Sequence, residues 1–266
     1  MEVARGRWLA WLDDDDLWAP DKLAVQLGRI GTAVIVYGAA VAVDSTFRVT
    51  ERWPAPSTEG LLPALFRGNV IPAGSSNVMA SAAAVKAVGG FDETLTHLED
   101  WDMWLRLVRR GPAAKCDDAL VAYVMHSKNR HLGVHDFMGE FDRFAAKHTA
   151  WAADIGLTFD RALFARYPAT VMRVLGYRRA AYWHILRHGL FPVTRKHVRS
   201  VAGFVLGERV VRAYRRPRQH DLEADLGPLA EDPAWLDAFR GGELHLTAEA
   251  ADETAGGRGH AAAWES

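Results

Sequence analysis

The sequence predicts an α/β fold, a mixed or parallel sheet carrying helices, followed by a helical segment. Three observations predict it. Short apolar or β-branched runs at residues 7–12, 33–37, 40–44, 77–80 and 119–125 alternate with stretches of helical period. The first run, Trp8-Leu9-Ala10-Trp11-Leu12, passes straight into Asp13-Asp14-Asp15-Asp16, as a strand does when it opens into a charged loop. After residue 134 apolar side chains recur at helical spacing.

Taken in order, residues 7–12 read as a strand with both faces covered. Pro20 suits the first turn of a helix, in which Leu23, Leu27 and Ile30 recur on one face up to Gly31. Residues 33–37 form a strand, and residues 40–44 and 47–52 a hairpin about Ser45-Thr46. Residues 58–66 are helical. Residues 69–76 are a Gly/Pro/Ser loop, where backbone amides can approach a ligand closely. Residues 77–80 form a strand, and Ser81 caps a short helix that stops at Gly89-Gly90. A helix opens at Glu99, with Trp101, Trp104, Leu105 and Val108 on one face. Residues 119–125 are a strand leading to His126. Residues 134–155 are one amphipathic helix with Phe137, Phe141, Phe144 and Trp151 inward.

Composition sets the outer limits. The 266 residues, 49% hydrophobic and 24% charged, suffice for one good-sized domain and an appendage. A formal net charge of −1 argues against a general nucleic-acid binder. Cys116 is the only cysteine, which fits a reducing, cytoplasmic setting. The five-residue run before the aspartates is too short for a signal peptide, and residues 33–43 fall well short of a bilayer span. The balance hides an asymmetry. Residues 161–218 hold fourteen Lys/Arg against one acid, Glu208, and residues 219–266 hold eleven acids against Arg240 and Arg258. The basic stretch suits peripheral contact with an anionic membrane surface, or is a helical subdomain with a solvated arginine face. The acidic tail reads as disordered, with the option of folding back on the basic segment. The organisation is therefore residues 1–132, 133–218 and 219–266.

Three constellations carry chemistry. Four consecutive carboxylates repel one another unless a cation sits among them, and Mg²⁺ or Mn²⁺ is the natural counter-charge; an acidic turn capping the next helix is the plainer alternative. Glu99, Asp100 and Asp102 cluster at a helix N-terminus, where the dipole favours acids, but three exceed what capping needs. An Asp beside aromatic rings there can act as a general base. His126 follows a strand and, taken alone, reads more readily as a surface-loop histidine than as a ligand. Phosphate-cradling glycine loops, zinc clusters and the G-x-S-x-G elbow are missing from the sequence.

These blocks resemble family-2 glycosyltransferases. Ala4-Arg5-Gly6 through Leu12-Asp13-Asp14-Asp15-Asp16-Leu17-Trp18, with Pro20-Asp21-Lys22-Leu23, resembles the family's DxD segment. Gly89-Gly90-Phe91-Asp92-Glu93 and Glu99-Asp100-Trp101-Asp102-Met103-Trp104-Leu105-Arg106-Leu107 resemble its acceptor-side block, and Tyr123-Val124-Met125-His126-Ser127-Lys128-Asn129 its Y-x-x-H-x-x-N ending. The resemblance implies a GT-A fold, a nucleotide-diphospho-sugar donor, a divalent ion, a carbohydrate or lipid-linked acceptor, and inversion at the anomeric carbon. Polysaccharide or glycolipid synthesis is the expected setting, in the cytoplasm by the single cysteine, with the inner face of the membrane as the option that the basic stretch offers. It makes Asp13 and Asp15 the acids of the DxD. Asp15 contacts the metal, Asp13 holds the ribose or supports the metal shell, and Asp14 lies between them on the donor side. Asp100 is the base with Glu99 beside it, and His126 is a further metal or diphosphate ligand. Family members carry a βαβ nucleotide-binding half before the DxD, whereas twelve residues precede Asp13 here. A partial GT-A domain that binds donor poorly in isolation is the corresponding expectation. A non-catalytic remnant of such an enzyme and a metal-dependent phosphoester hydrolase are the competing readings.

Overall fold

A computed structural model describes residues 3–126, 136–174, 181, 183–189, 229 and 231–240. Its centre is β3 (Ile35–Val43), nine residues buried along their whole length. Six strands form one sheet in the order β1 (Trp8–Ala10), β5 (Met79–Ser81), β3, β6 (Ala113–Val124), β2 (Leu17–Trp18), with β4 (Val49–Trp53) also paired to β3. β3 and β6 run parallel; the other pairs are antiparallel, so the sheet is mixed.

The two runs expected at 33–37 and 40–44 are one strand. Gly38 joins them because the Asn77 side chain takes the place of a neighbouring backbone there. Gly38 N–H donates to Asn77 Oδ1 at 2.9 Å, and Asn77 Nδ2 donates back to Gly38 O at 2.7 Å. A Cβ at 38 would meet Leu120 at 3.1 Å and Asn77 Oδ1 at 3.3 Å, so glycine is what the approach requires. The expected hairpin is present, turned by Asp44, whose Oδ1 accepts the N–H groups of Thr46 and Arg48.

Two sequence expectations are corrected. The first strand is a half-buried edge strand, three residues long, paired among the described residues only with β5. It lies at the end of the strand order, which leaves less of it covered than in a central strand. Helix α1 (Lys22–Arg29) buries Lys22 and Gln26 completely and leaves Leu23 and Leu27 41% and 47% exposed. A polar chain explains the inversion. Lys22 Nζ sits over the Trp18 ring and donates to Gln26 Oε1 at 2.8 Å, and Gln26 Nε2 donates to the Asn77 carbonyl at 2.7 Å. The interior turn at Asn77 needs partners, and the helix rotates to supply them. Burial lowers the Lys22 ammonium to about 7.

Helices α2 (Leu61–Leu65), α3 (Gly74–Asn77), α4 (Ala82–Ala87) and α5 (Glu99–Val108) follow, with Ser81 Oγ capping α4 as expected. The apolar face of α5 meets α6 (Phe137–Asp154) through Trp101, Trp104, Phe141 and Phe144. One core therefore runs without a break past residue 132 into α6. Glu140 of α6 accepts the N–H groups of Thr96, His97 and Leu98 at 2.8, 2.7 and 2.9 Å, pinning the start of α5. Burial alone would raise that carboxyl, but the His97 side chain and these amides bring it down to about 2. Helices α7 (Arg161–Phe164) and α8 (Arg166–Val174) close this side.

The acidic tail, read as disordered, is ordered where it is described. Residues 234–238 form a 3₁₀ turn on the opposite face of the sheet. Leu236 is fully buried against Val41, Val43 and Val124, and Trp235 Nε1 donates to the Ala119 carbonyl at 3.0 Å. Asp232 pairs with Arg52 and Arg240. An apolar groove in the sheet takes the Trp235/Leu236/Phe239 cluster, so these residues contact the sheet. The rest of the tail and most of the basic stretch lie outside the described residues, as do Ser127, Lys128 and Asn129.

Candidate active site

The aspartates occupy the loop that joins β1 to β2, and their fates differ. Asp13 and Asp14 are exposed, Asp15 is half-buried and Asp16 is buried. Asp13 is held from below by two hydroxyls. Its N–H donates to Ser76 Oγ at 3.1 Å, and Ser75 Oγ donates to its Oδ1 at 3.3 Å. Asp15 Oδ2 lies 2.9 Å from His126 Nε2, so the end of β6 returns the histidine to the aspartate loop across 111 residues. Asp16 turns into the core and accepts the Val124 N–H at 3.3 Å. Burial pushes its carboxyl up to about 7, so Asp16 belongs to the scaffold beneath the other three.

Asp13, Asp14, Asp15, Glu99 and Asp100 line one cleft of about 1380 Å³. Asp100 Oδ2 accepts from Asn69 Nδ2 at 2.8 Å, and Oδ1 accepts the Trp101 N–H. Burial and then the neighbouring Glu99 charge raise the Asp100 carboxyl to about 7. Asp102, the third acid of the cluster, does not reach the cleft. It is fully buried and meets His148 Nε2 at 2.8 Å, Lys147 Nζ at 2.9 Å and Arg106 Nε at 2.7 Å. Burial works to raise that carboxyl, but these three partners outweigh it and hold it below the usual range.

One loop touches both acidic groups. Residues 69–77 contribute Asn69 to Asp100 and Ser75 and Ser76 to Asp13. At its bend Ala73 and Gly74 take left-handed backbone angles, φ 55° and 49°. A Cβ on Gly74 would lie 3.2 Å from Asp100 Oδ2, so that glycine lets the loop pass the carboxylate. Asn77 anchors the loop below, its Nδ2 donating also to the Pro72 carbonyl at 3.0 Å. Across the cleft Tyr123 packs on Trp53 with ring centroids 5.8 Å apart, and Tyr167 of α8 completes the wall.

A sequence model of "Glycosyltransferase like family 2" matches residues 1–162. The chain belongs to that family. It is a nucleotide-sugar glycosyltransferase by family, and its α/β class is the one expected. No curated protein matches it significantly. Among solved structures it is similar to S. aureus TarS residues 1–349 in complex with UDP-GlcNAc. That similarity is 14% identity covering 92% of this chain and 70% of that one, with a TM-score of 0.44.

The glycosyltransferase fold thus gathers Asp13, Asp14, Asp15, Glu99, Asp100 and His126 around one region. Sequence reasoning noted the 69–76 loop for its backbone amides and overlooked its side chains. Asn69, Ser75 and Ser76 act through those side chains, and the signal available was an Asn and two Ser bracketing a Pro-Ala-Gly bend. Tyr167 was missed as well, because it looks like any aromatic on an amphipathic helix.

Proposed function

We propose that this glycosyltransferase inverts the anomeric configuration, uses a divalent cation, and activates its acceptor through Asp100. The observation that carries the reading is the single cleft shared by the DxD acids and Asp100. In-line displacement needs the leaving group and the incoming hydroxyl on opposite sides of one carbon, and such a cleft allows both. Asp100 accepts the proton of the acceptor hydroxyl as that oxygen bonds to the anomeric carbon. The bond from that carbon to the diphosphate oxygen breaks, and nucleoside diphosphate leaves. A carboxyl raised to about 7 suits a base working near neutral pH.

Asp15 and His126 fit a divalent ion. Asp15 Oδ2 and His126 Nε2 stand 2.9 Å apart, and a carboxylate oxygen and an imidazole nitrogen would both serve as ligands to such an ion. Among the described residues no group of three or more His, Cys, Asp or Glu converges on such a position, so diphosphate oxygens and water would complete the shell. A cation held by Asp15 and His126 would supply positive charge to offset that of the diphosphate. Asp13, steadied by Ser75 and Ser76, is assigned to the donor ribose or the outer shell of the cation, with Asp14 beside it on the donor side. Glu99 supports Asp100 by keeping its proton affinity high.

The acceptor is assigned as a carbohydrate or lipid-linked saccharide in polysaccharide or glycolipid synthesis. The basic stretch 161–218 is assigned to peripheral contact with the inner face of the membrane. Among the described residues no helix is long and apolar enough to cross a membrane.

The test is release of nucleoside diphosphate from a panel of nucleotide sugars, with and without Mn²⁺ and saccharide acceptors, with the product anomer read by NMR. Asp100→Asn should lower transfer by about 10²-fold or more and leave Mn²⁺ binding nearly unchanged. Transfer by that variant at the wild-type rate, or a product of retained configuration, refutes the reading.

A further inference from the structure

We infer that Asn69 is a positioning residue for the base, fixing the Asp100 carboxylate in the orientation that receives the acceptor proton. The inference rests on the assignment of Asp100 above. Asp100 is held by two hydrogen bonds. Its own helix supplies the Trp101 N–H to Oδ1 and Asn69 supplies an amide N–H to Oδ2, while Gly74, where a Cβ would lie 3.2 Å from Oδ2, keeps that side open. A carboxylate oxygen has two acceptor positions. With one taken by Asn69, Oδ2 keeps the other for an incoming hydroxyl, and the carboxyl plane cannot turn without breaking the 2.8 Å bond.

Nothing in the fold needs this bond. Asn69 is exposed and is absent from the apolar core. The polar anchors of its loop are Asn77 and the serines. Its amide is instead directed at the acid whose surroundings disfavour ionisation. Burial, then Glu99 of α5 and Asp13 of the DxD loop, push the carboxyl toward its protonated form, and burial followed by the Asp100 charge raises the Tyr167 phenol of α8. Arg67 and His97 also line the cleft. An amide N–H donates better to a carboxylate than to a carboxylic acid, so Asn69 offsets part of that push. Substrate therefore meets a base that is both ionised and aimed.

The experiment needs no substrate. The Asp100 carboxyl is followed by ¹³C NMR on the full chain labelled at Asp Cγ, and its resonance is assigned by its loss in Asp100→Asn. Asn69→Ala should move the titration midpoint upward by about half a pH unit or more. Asn69→Asp, which adds a like charge, should move it further. Thermal unfolding of both variants should match wild type. The pH profile of transfer should shift with the midpoint, with kcat falling and the KM for nucleotide sugar holding. If the midpoint stays put in both variants while Asp100→Asn is inactive, the positioning role fails and the base assignment stands. If Asp100→Asn still transfers, the base assignment fails and takes this inference with it.

Discussion

Asp100 and Asp102 stand two residues apart on one helix and are driven in opposite directions. At about 100° per residue their side chains leave α5 on opposite sides. Asp100 enters the cleft, where it finds one neutral amide, a backbone N–H and other acids, and its carboxyl rises to about 7. Asp102 enters the seam between α5 and α6, where Arg106, Lys147 and His148 close on it and hold it below the usual range. The difference separates two uses of a carboxylate. The one proposed to take up a proton meets an amide and other acids; the one that holds helices together is surrounded by cations. The aspartate loop divides differently: Asp15 is half-buried against His126, while Asp16 is buried under Val124 and burial pushes its carboxyl up.

The comparison breaks most sharply at Asp102. Asp102→Asn should cost about 3–5 kcal/mol of folding stability, because Lys147 and Arg106 lose a buried counter-charge. Asp100→Asn should instead raise stability at neutral pH, since it removes a carboxylate whose ionisation its surroundings disfavour. Urea unfolding of the two variants checks this, and similar losses would remove the distinction. Glu140→Gln ranks next. It weakens charged hydrogen bonds at the start of α5 and should cost about 2 kcal/mol by the same assay.

The pH dependence sharpens the contrast. Transfer should rise about tenfold per pH unit on the acid side and level above about 7, as Asp100 ionises. The stability signs are opposite. Asp100, raised in the folded state, binds more protons there than in the unfolded chain. Its contribution to stability is therefore full below its unfolded pKa and is lost as pH rises toward about 7. Asp102, lowered in the folded state, contributes above its unfolded pKa and is lost as pH falls below it. Urea midpoints measured across pH on wild type and on each Asp→Asn variant separate the two. Smaller effects follow at the rims. His126→Ala should weaken Mn²⁺ binding by about tenfold, read by calorimetry. Arg52→Ala, which cuts the half-exposed pair to Asp232, should cost less than about 1 kcal/mol in thermal unfolding.

Much of the fold was legible along the chain. The Ser81 cap, the hairpin at Asp44 and the Phe137/Phe141/Phe144 stripe are local patterns, and local patterns survive folding. Helix α1 was misread for a physical reason. Leu23 and Leu27 announce an apolar face, but burying Lys22 and Gln26 completes the hydrogen bonds of Asn77, a residue far along the chain. Residues 231–240 were misread because composition averages over residues 219–266 and dilutes the Trp235/Leu236/Phe239 cluster that docks. Asn69 was illegible as a functional residue, since its role exists only opposite Asp100.

By itself the sequence determined which residue types were at hand. It set two acidic clusters, a histidine after a strand, a Gly/Pro/Ser bend and the alternation that makes an α/β sheet, all consequences of side-chain chemistry and short-range spacing. Tertiary structure decided which of those acids share a cleft. Antiparallel pairing of β2 with β6 returns His126 to Asp15, and the turn of α5 sends Asp100 to the cleft and Asp102 to the core. The reason is physical: a carboxylate's proton affinity follows from what surrounds it in space, and neighbours in space are set by long-range pairing.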